Sequence, residues 1–240
     1  MNNYMNNSGY DTALQAENEL TLRRYVTGVM RRVYGKMTLG LLVTALTSYL
    51  MLTVPALMNF LMLHPLLIIG AMVVELGLVF YLSARIEKMS STTATITFYL
   101  YSMINGITLT PIFLIYTSTS IAMTFALTAG TFGAMTIFGY VTRQDLSKMR
   151  SYLIMALFGL ILCLVVNVFM RSTMMDLLIS CAGVLIFVGL TAWDTQAIKR
   201  MAAEADPTMM SKVATWGALS LYLDFINLFI YLLRLFGSRD

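Results

Sequence analysis

Three carboxylates stand inside apolar sequence: Glu75, Asp194 and Asp224. A carboxylate at the centre of a membrane helix costs about 2.5–3.5 kcal/mol on insertion scales, so such residues usually carry a partner or a function. Asp194 lies in VGLTAWDTQAIKRM, five residues before Lys199, hence roughly 8 Å inside the charged end of its segment. Asp224 lies eight residues after Trp216, roughly 12 Å inside the same end. Consecutive antiparallel helices would place the two at similar depth. If they face each other away from water, two like charges cannot both ionise comfortably, and the pair shares a proton near neutral pH. That is a pH-sensing element made of two residues. Arg85 ends another apolar segment on the same side and is a candidate lock, able to hold one aspartate as an ion pair until protonation releases it. Glu75 is ten residues deeper, about 15 Å, near mid-membrane. A static, hydrogen-bonded polar core that only fixes helix packing would use the same residues.

Other chemistries find little support. His64 is the single histidine, and no metal-ligand spacing occurs. A membrane serine protease lacks a serine matched to that histidine. An aspartyl intramembrane protease would carry glycine beside its second aspartate, where this chain has Leu221-Tyr222-Leu223-Asp224. Cys163 and Cys181 lie in apolar stretches and are expected as small packing residues. Asn105, Asn167 and Asn227 are expected to join helices by hydrogen bonds. Asp176, at the start of its segment, suits a helix N-terminus. The chain is expected to be no enzyme and to need no cofactor.

These residues must be positioned by membrane helices. Of 240 residues, 58% are hydrophobic and 12% charged, against roughly 25% charged in a soluble domain. The mean hydropathy is +0.76. Seven segments approach the roughly 20 residues a bilayer core requires: 37–57, 66–84, 95–116, 120–140, 152–170, 177–198 and 216–236. Pro111 predicts a kink in the third. Ala126, Ala129, Gly130, Gly133 and Ala134 predict close helix approach in the fourth. In the last, Gly217, Ser220, Asp224, Asn227, Tyr231 and Arg234 recur at helical spacing and form one polar stripe. Such a stripe belongs inside a bundle. The expected fold is therefore an all-α integral membrane protein of seven transmembrane helices, with the final helix central and wrapped by the other six.

Residues 1–20 are polar and expected as a disordered cytoplasmic tail. Residues 21–36 carry Arg23, Arg24, Arg31, Arg32 and Lys36, a basic juxtamembrane segment expected at the lipid surface. Residues 37–240 form the transmembrane domain. Thirteen of the sixteen Lys and Arg fall at one end of the predicted bundle; only Arg171, Arg234 and Arg239 fall at the other. That asymmetry predicts a cytoplasmic N-terminus. Because the basic residues sit in short connections, the pI near 9.1 signals topology rather than nucleic-acid binding.

The stretches RRVYGKMTLGLLVTAL, TPIFLIYTSTSIAMTFALTAGTFGAMTIFGYVTRQDLS, VGLTAWDTQAIKRM and ALSLYLDFINLFIYLLRLFG resemble bacterial members of the Bax inhibitor-1 family. The resemblance covers most of the chain from about residue 31. It implies a central final helix and a bacterial inner-membrane location. It also implies a pH-dependent calcium leak, with Asp194 and Asp224 on the family's sensor and gate positions. Glu75 and Arg85 match in type the family's pore acid and lock. Where the family motif often reads Tyr-Asp, this chain has Trp193-Asp194. The implied partners are calcium ions and protons, with two carboxylates, backbone carbonyls and water forming a weak, transient calcium site at Asp194 and Asp224. Membrane lipids surround the chain. The alternative is a non-transporting regulator that binds and modulates a membrane partner such as a quality-control protease.

Overall fold

The computed structural model describes residues 2–238, with side chains described from residue 15 onward. Most of the expected N-terminal tail, and Arg239, lie outside the residues whose side chains are described. Among the described residues there are eight α-helices and no strand: α1 (Asn2–Thr53), α2 (Pro55–Leu63), α3 (Pro65–Arg85), α4 (Ser91–Ile115), α5 (Ser118–Val141), α6 (Ser147–Met170), α7 (Thr173–Glu204) and α8 (Met210–Phe236). A single 3-10 turn, Pro207–Met209, joins α7 to α8. All but α2 are long and apolar enough to cross a membrane. The chain is an all-α integral membrane protein.

Several boundaries differ from the sequence expectation. The basic segment 21–36, expected at the lipid surface, is continuous with the first span in α1, and its Val26, Val29, Met30 and Val33 are buried in the core. Residues 15–20 prolong α1 as exposed helix. The first span ends at Thr53, and α2 starts at Pro55, whose fixed φ suits a first helical position; Pro65 starts α3 in the same way. The fourth span's small-residue stripe does not face a neighbour, since Gly130 and Gly133 look into open space. The buried face of α5 is instead Thr124, Thr128, Phe132 and Gly139. The close approach happens at Gly139, where a Cβ would collide with the Ala192 backbone of α7. Both cysteines are free and exposed on the apolar outer surface rather than packed inside.

The three connections rich in Lys and Arg gather at one end with the basic stretch of α1. There Lys212 donates to the Glu87 carbonyl (2.6 Å), Arg200 pairs with Asp145, and the Tyr25 hydroxyl reaches the Asp206 carbonyl (3.3 Å). At the opposite end the backbone of Ser238 bonds both Thr117 and Ser120 in the α4–α5 turn. The 27 residues of α8 span about 40 Å at 1.5 Å each. The last helix therefore runs from the basic end to the opposite one and is long enough to cross a membrane.

Helix α8 is central. It packs directly on α1, α4, α5 and α7, while α3 lies outside α4 and α6 lies outside α7. Its apolar side chains are as buried as its polar stripe: Leu221, Tyr222, Leu228 and Leu233 have no exposed surface. Aromatic contacts fix it on several sides. Phe225 meets Phe125 and Phe132 edge-on, both at 5.4 Å, and Tyr222 meets Phe98 at 5.7 Å and Tyr101 at 5.6 Å. Such pairs add about 0.5–1.5 kcal/mol each beyond their burial.

Candidate functional site

The polar stripe of α8 faces α7. Level by level, Gly217 packs on Ile198, Asp224 meets Asp194, and Tyr231 lies on Gly183 and Phe187. The heptad step on α8 returns one face to the same neighbour, so the seam is regular. Asp194 and Asp224 are 8% and 4% exposed, and their carboxyl groups stand within hydrogen-bonding reach of each other. Asp224 Oδ2 is buried without a partner. The Tyr34 hydroxyl, also buried, lies within reach of Thr195 and of Thr136. Buried polar atoms are nearly always bonded, so the open Asp224 oxygen marks capacity for a proton, water or cation.

The segment around Asp194 is held from every side. Arg150 of α6 sits over the Trp193 ring at 5.2 Å, and its charge reaches Asp194. Gln196 accepts from the Leu146 amide (2.9 Å) and donates to the Gln144 carbonyl (2.8 Å). Lys199 donates to the Tyr140 carbonyl (2.8 Å) and lies over that ring at 4.7 Å. Arg200 binds Asp145, Ser147 and Gln196. The α5–α6 loop is in this way tied to α7 directly beneath the diacid.

Arg85 lies elsewhere. It is exposed at the end of α3, and the ion pairs among the described residues are Glu19–Arg23 and Asp145–Arg200. In this conformation the cation whose charge reaches Asp194 is Arg150. The Trp193 ring is the surface on which that guanidinium rests.

Glu75 joins a second, separate network near mid-membrane. It accepts from Thr108 Oγ1 (2.9 Å) and lies within reach of Asn105. The Tyr222 hydroxyl donates to Asn105 (3.0 Å) and is 2.6 Å from Thr44 Oγ1, which donates to the Ser102 carbonyl (2.8 Å). This chain of bonds links α3, α4, α8 and α1. Asn105 therefore joins helices as expected. Asn167 instead braces the α6–α7 turn through Asp176 and Ser172, and Asn227 bonds only the Leu223 carbonyl of its own helix. A third polar node is Lys36, half-buried and held by Thr95 (2.7 Å), Thr215 (2.6 Å) and the Ser211 carbonyl (3.5 Å). Among the described residues no group of three or more His, Cys, Asp or Glu could hold a resident metal ion.

The fold and site define a class: a seven-helix membrane protein whose central helix carries half of a buried diacid. The family model described as inhibitor of apoptosis-promoting Bax1 matches residues 26–240, and the chain belongs to the Bax inhibitor-1 family. It is similar to the inner membrane protein YbhL of Escherichia coli, with 46% identity over 88% of this chain and 91% of that one. A Borreliella burgdorferi protein is 44% identical over 88% of this chain and 91% of its own length. A Rickettsia prowazekii protein is 40% identical over 91% of each.

Proposed function

We propose that this protein is a pH-sensitive calcium leak channel of a bacterial inner membrane, gated by the Asp194–Asp224 pair, and not an enzyme. The observation that carries the reading is the meeting of two buried carboxylates on the central seam, one with an open oxygen. A proton shared between them keeps α7 and α8 together. Losing it leaves like charges in a poorly hydrated seam, which favours separation or a cation. Calcium takes several oxygen ligands, and two carboxylates offer a weak site of the kind that conduction needs. The inner-membrane location is supported by the printed name of the YbhL relative, and the gathering of basic residues at the end where α1 begins supports a cytoplasmic N-terminus. Glu75 serves as a pore acid and Arg85 as a lock in conformations other than this one.

The test is calcium flux into liposomes holding only this protein, scanned over about pH 5 to 8, beside Asp194→Asn, Asp224→Asn. A pH-dependent flux whose profile the double variant changes is the expected result. An unchanged profile rejects the gate. No flux from folded protein rejects the leak and favours a regulator that acts through a membrane partner.

A further inference from the structure

We infer that Tyr231 is the outer stopper of a cation path along the α7–α8 seam, and that the cavity above it is the vestibule feeding that path. The inference rests on the proposed leak. The cavity, about 530 Å³, opens at the end opposite the basic one, between α4, α7 and the last turns of α8. Thr173, Asp176, Ser180 and Arg234 give it polar lining. Asp176 and Arg234 are both exposed, and neither forms an ion pair among the described residues.

One turn below Arg234, Tyr231 is 6% exposed and fills the gap between the helices. Its ring stacks on Phe187 with centroids 5.8 Å apart and 24° between planes. The Arg234 guanidinium lies over the ring at 5.8 Å. On α7 the ring meets Gly183, where an added Cβ would come within 2.6 Å of it. Glycine is thus the residue that lets the phenol close the seam. Below the ring the stripe continues with Asn227 and then Asp224. At the other end Ile198 closes on Gly217, and beyond it a cavity of about 390 Å³, lined by Met201, Glu204, Lys212 and Trp216, opens at the basic end. Two cavities therefore lie at the two ends of the seam, and Tyr231 is packed between the outer one and the level of the diacid. Bulky apolar constrictions of this kind stop hydrated ions until they move.

The test is thiol labelling in lipid nanodiscs, in a Cys163→Ala, Cys181→Ala background with Asn227→Cys below the stopper. The probe is a cationic, membrane-impermeant methanethiosulfonate. With Tyr231 present, labelling is slow; Tyr231→Ala speeds it about tenfold or more, and Tyr231→Phe leaves it slow, as a steric plug requires. Tyr231→Leu, apolar but not flat, gives an intermediate rate and replaces the alanine variant should that one not fold. Thr173→Cys, at the vestibule rim, labels fast in every background. Equal rates for Tyr231 and Tyr231→Ala, or fast labelling of Tyr231→Phe, overturn the stopper. Calcium flux separates the two ideas. A silent wild type rejects the leak while labelling still decides the stopper, and a conducting wild type with unchanged flux in Tyr231→Ala rejects the stopper alone.

Discussion

Asp224 presents a buried, unpartnered carboxylate oxygen to the seam in which it meets Asp194. Because the two share one seam, their protonation belongs to the pair rather than to either residue. Thermal unfolding in detergent reads this directly. The wild-type midpoint is expected to vary over about pH 5 to 8, and the Asp194→Asn, Asp224→Asn variant to lose most of that variation. A double variant with the wild-type pH dependence would place the titrating group elsewhere.

The loop clamp beneath the diacid separates into a strong and a weak part. Gln196 is 8% exposed, and removing its amide strands the Leu146 amide and the Gln144 carbonyl. Gln196→Ala is expected to cost about 1–3 kcal/mol in thermal unfolding.

The weak part is Asp145. The Arg200 guanidinium, helped by the Ser147 amide, holds its carboxyl down at about 2. The ordinary aspartate value is about 3.9. A depressed value means that its stabilisation is present above the unfolded value and lost as the pH falls toward the folded one. The carboxylate is exposed, so salt screens it. Asp145→Asn is expected to lower the midpoint only slightly at neutral pH, and less still in high salt. A large, salt-independent drop would show a buried role that the geometry does not provide.

The mid-membrane network depends on one hydroxyl. Tyr222 bridges Asn105 and Thr44 with no exposed surface. Tyr222→Phe is expected to cost about 1–3 kcal/mol, because it leaves buried partners unpaired while preserving the ring contacts. Unchanged stability would mean that Asn105 turns fully to Glu75.

Two glycines set helix distances beside the site. At Gly139 a methyl group would strike the Ala192 backbone, and at Gly183 it would strike the Tyr231 ring. Gly139→Ala must move a whole helix, with an expected overpacking cost of about 1–3 kcal/mol. Gly183→Ala needs only a side chain to give way. It is expected to unfold nearly as the wild type does, yet to raise labelling at Asn227→Cys. Equal destabilisation by both variants would show that Tyr231 has nowhere to go.

Much of this was legible in the residues. Seven apolar stretches gave the spans, and the 217–224–231 spacing gave the inward stripe, because helix period and bilayer thickness are local constraints. The similar depth of Asp194 and Asp224 followed from residue counting. Rotation about each helix axis did not. Whether Arg85 or Arg150 faces Asp194 depends on how α3 and α6 are turned against their neighbours, and depth carries no information on that. The small residues of α5 misled for the same reason: close packing needs an opposing helix, and only Gly139 has one. Tyr222 was read as part of a motif, yet nothing short of a fold could pair its hydroxyl with Asn105.

The centrality of α8 also bears on how the protein is made. Chains are synthesised from the N-terminus, and early segments wait for later ones. The six spans that wrap α8 emerge first, so Asp194, Lys36 and Asn105 enter the bilayer before Asp224, Thr215 and Tyr222 exist to receive them. Until synthesis ends, these polar groups must find water, lipid headgroups or a helper protein. Premature termination before Met210 would leave a sheath with no core, a substrate for membrane proteolysis rather than a smaller version of the same fold.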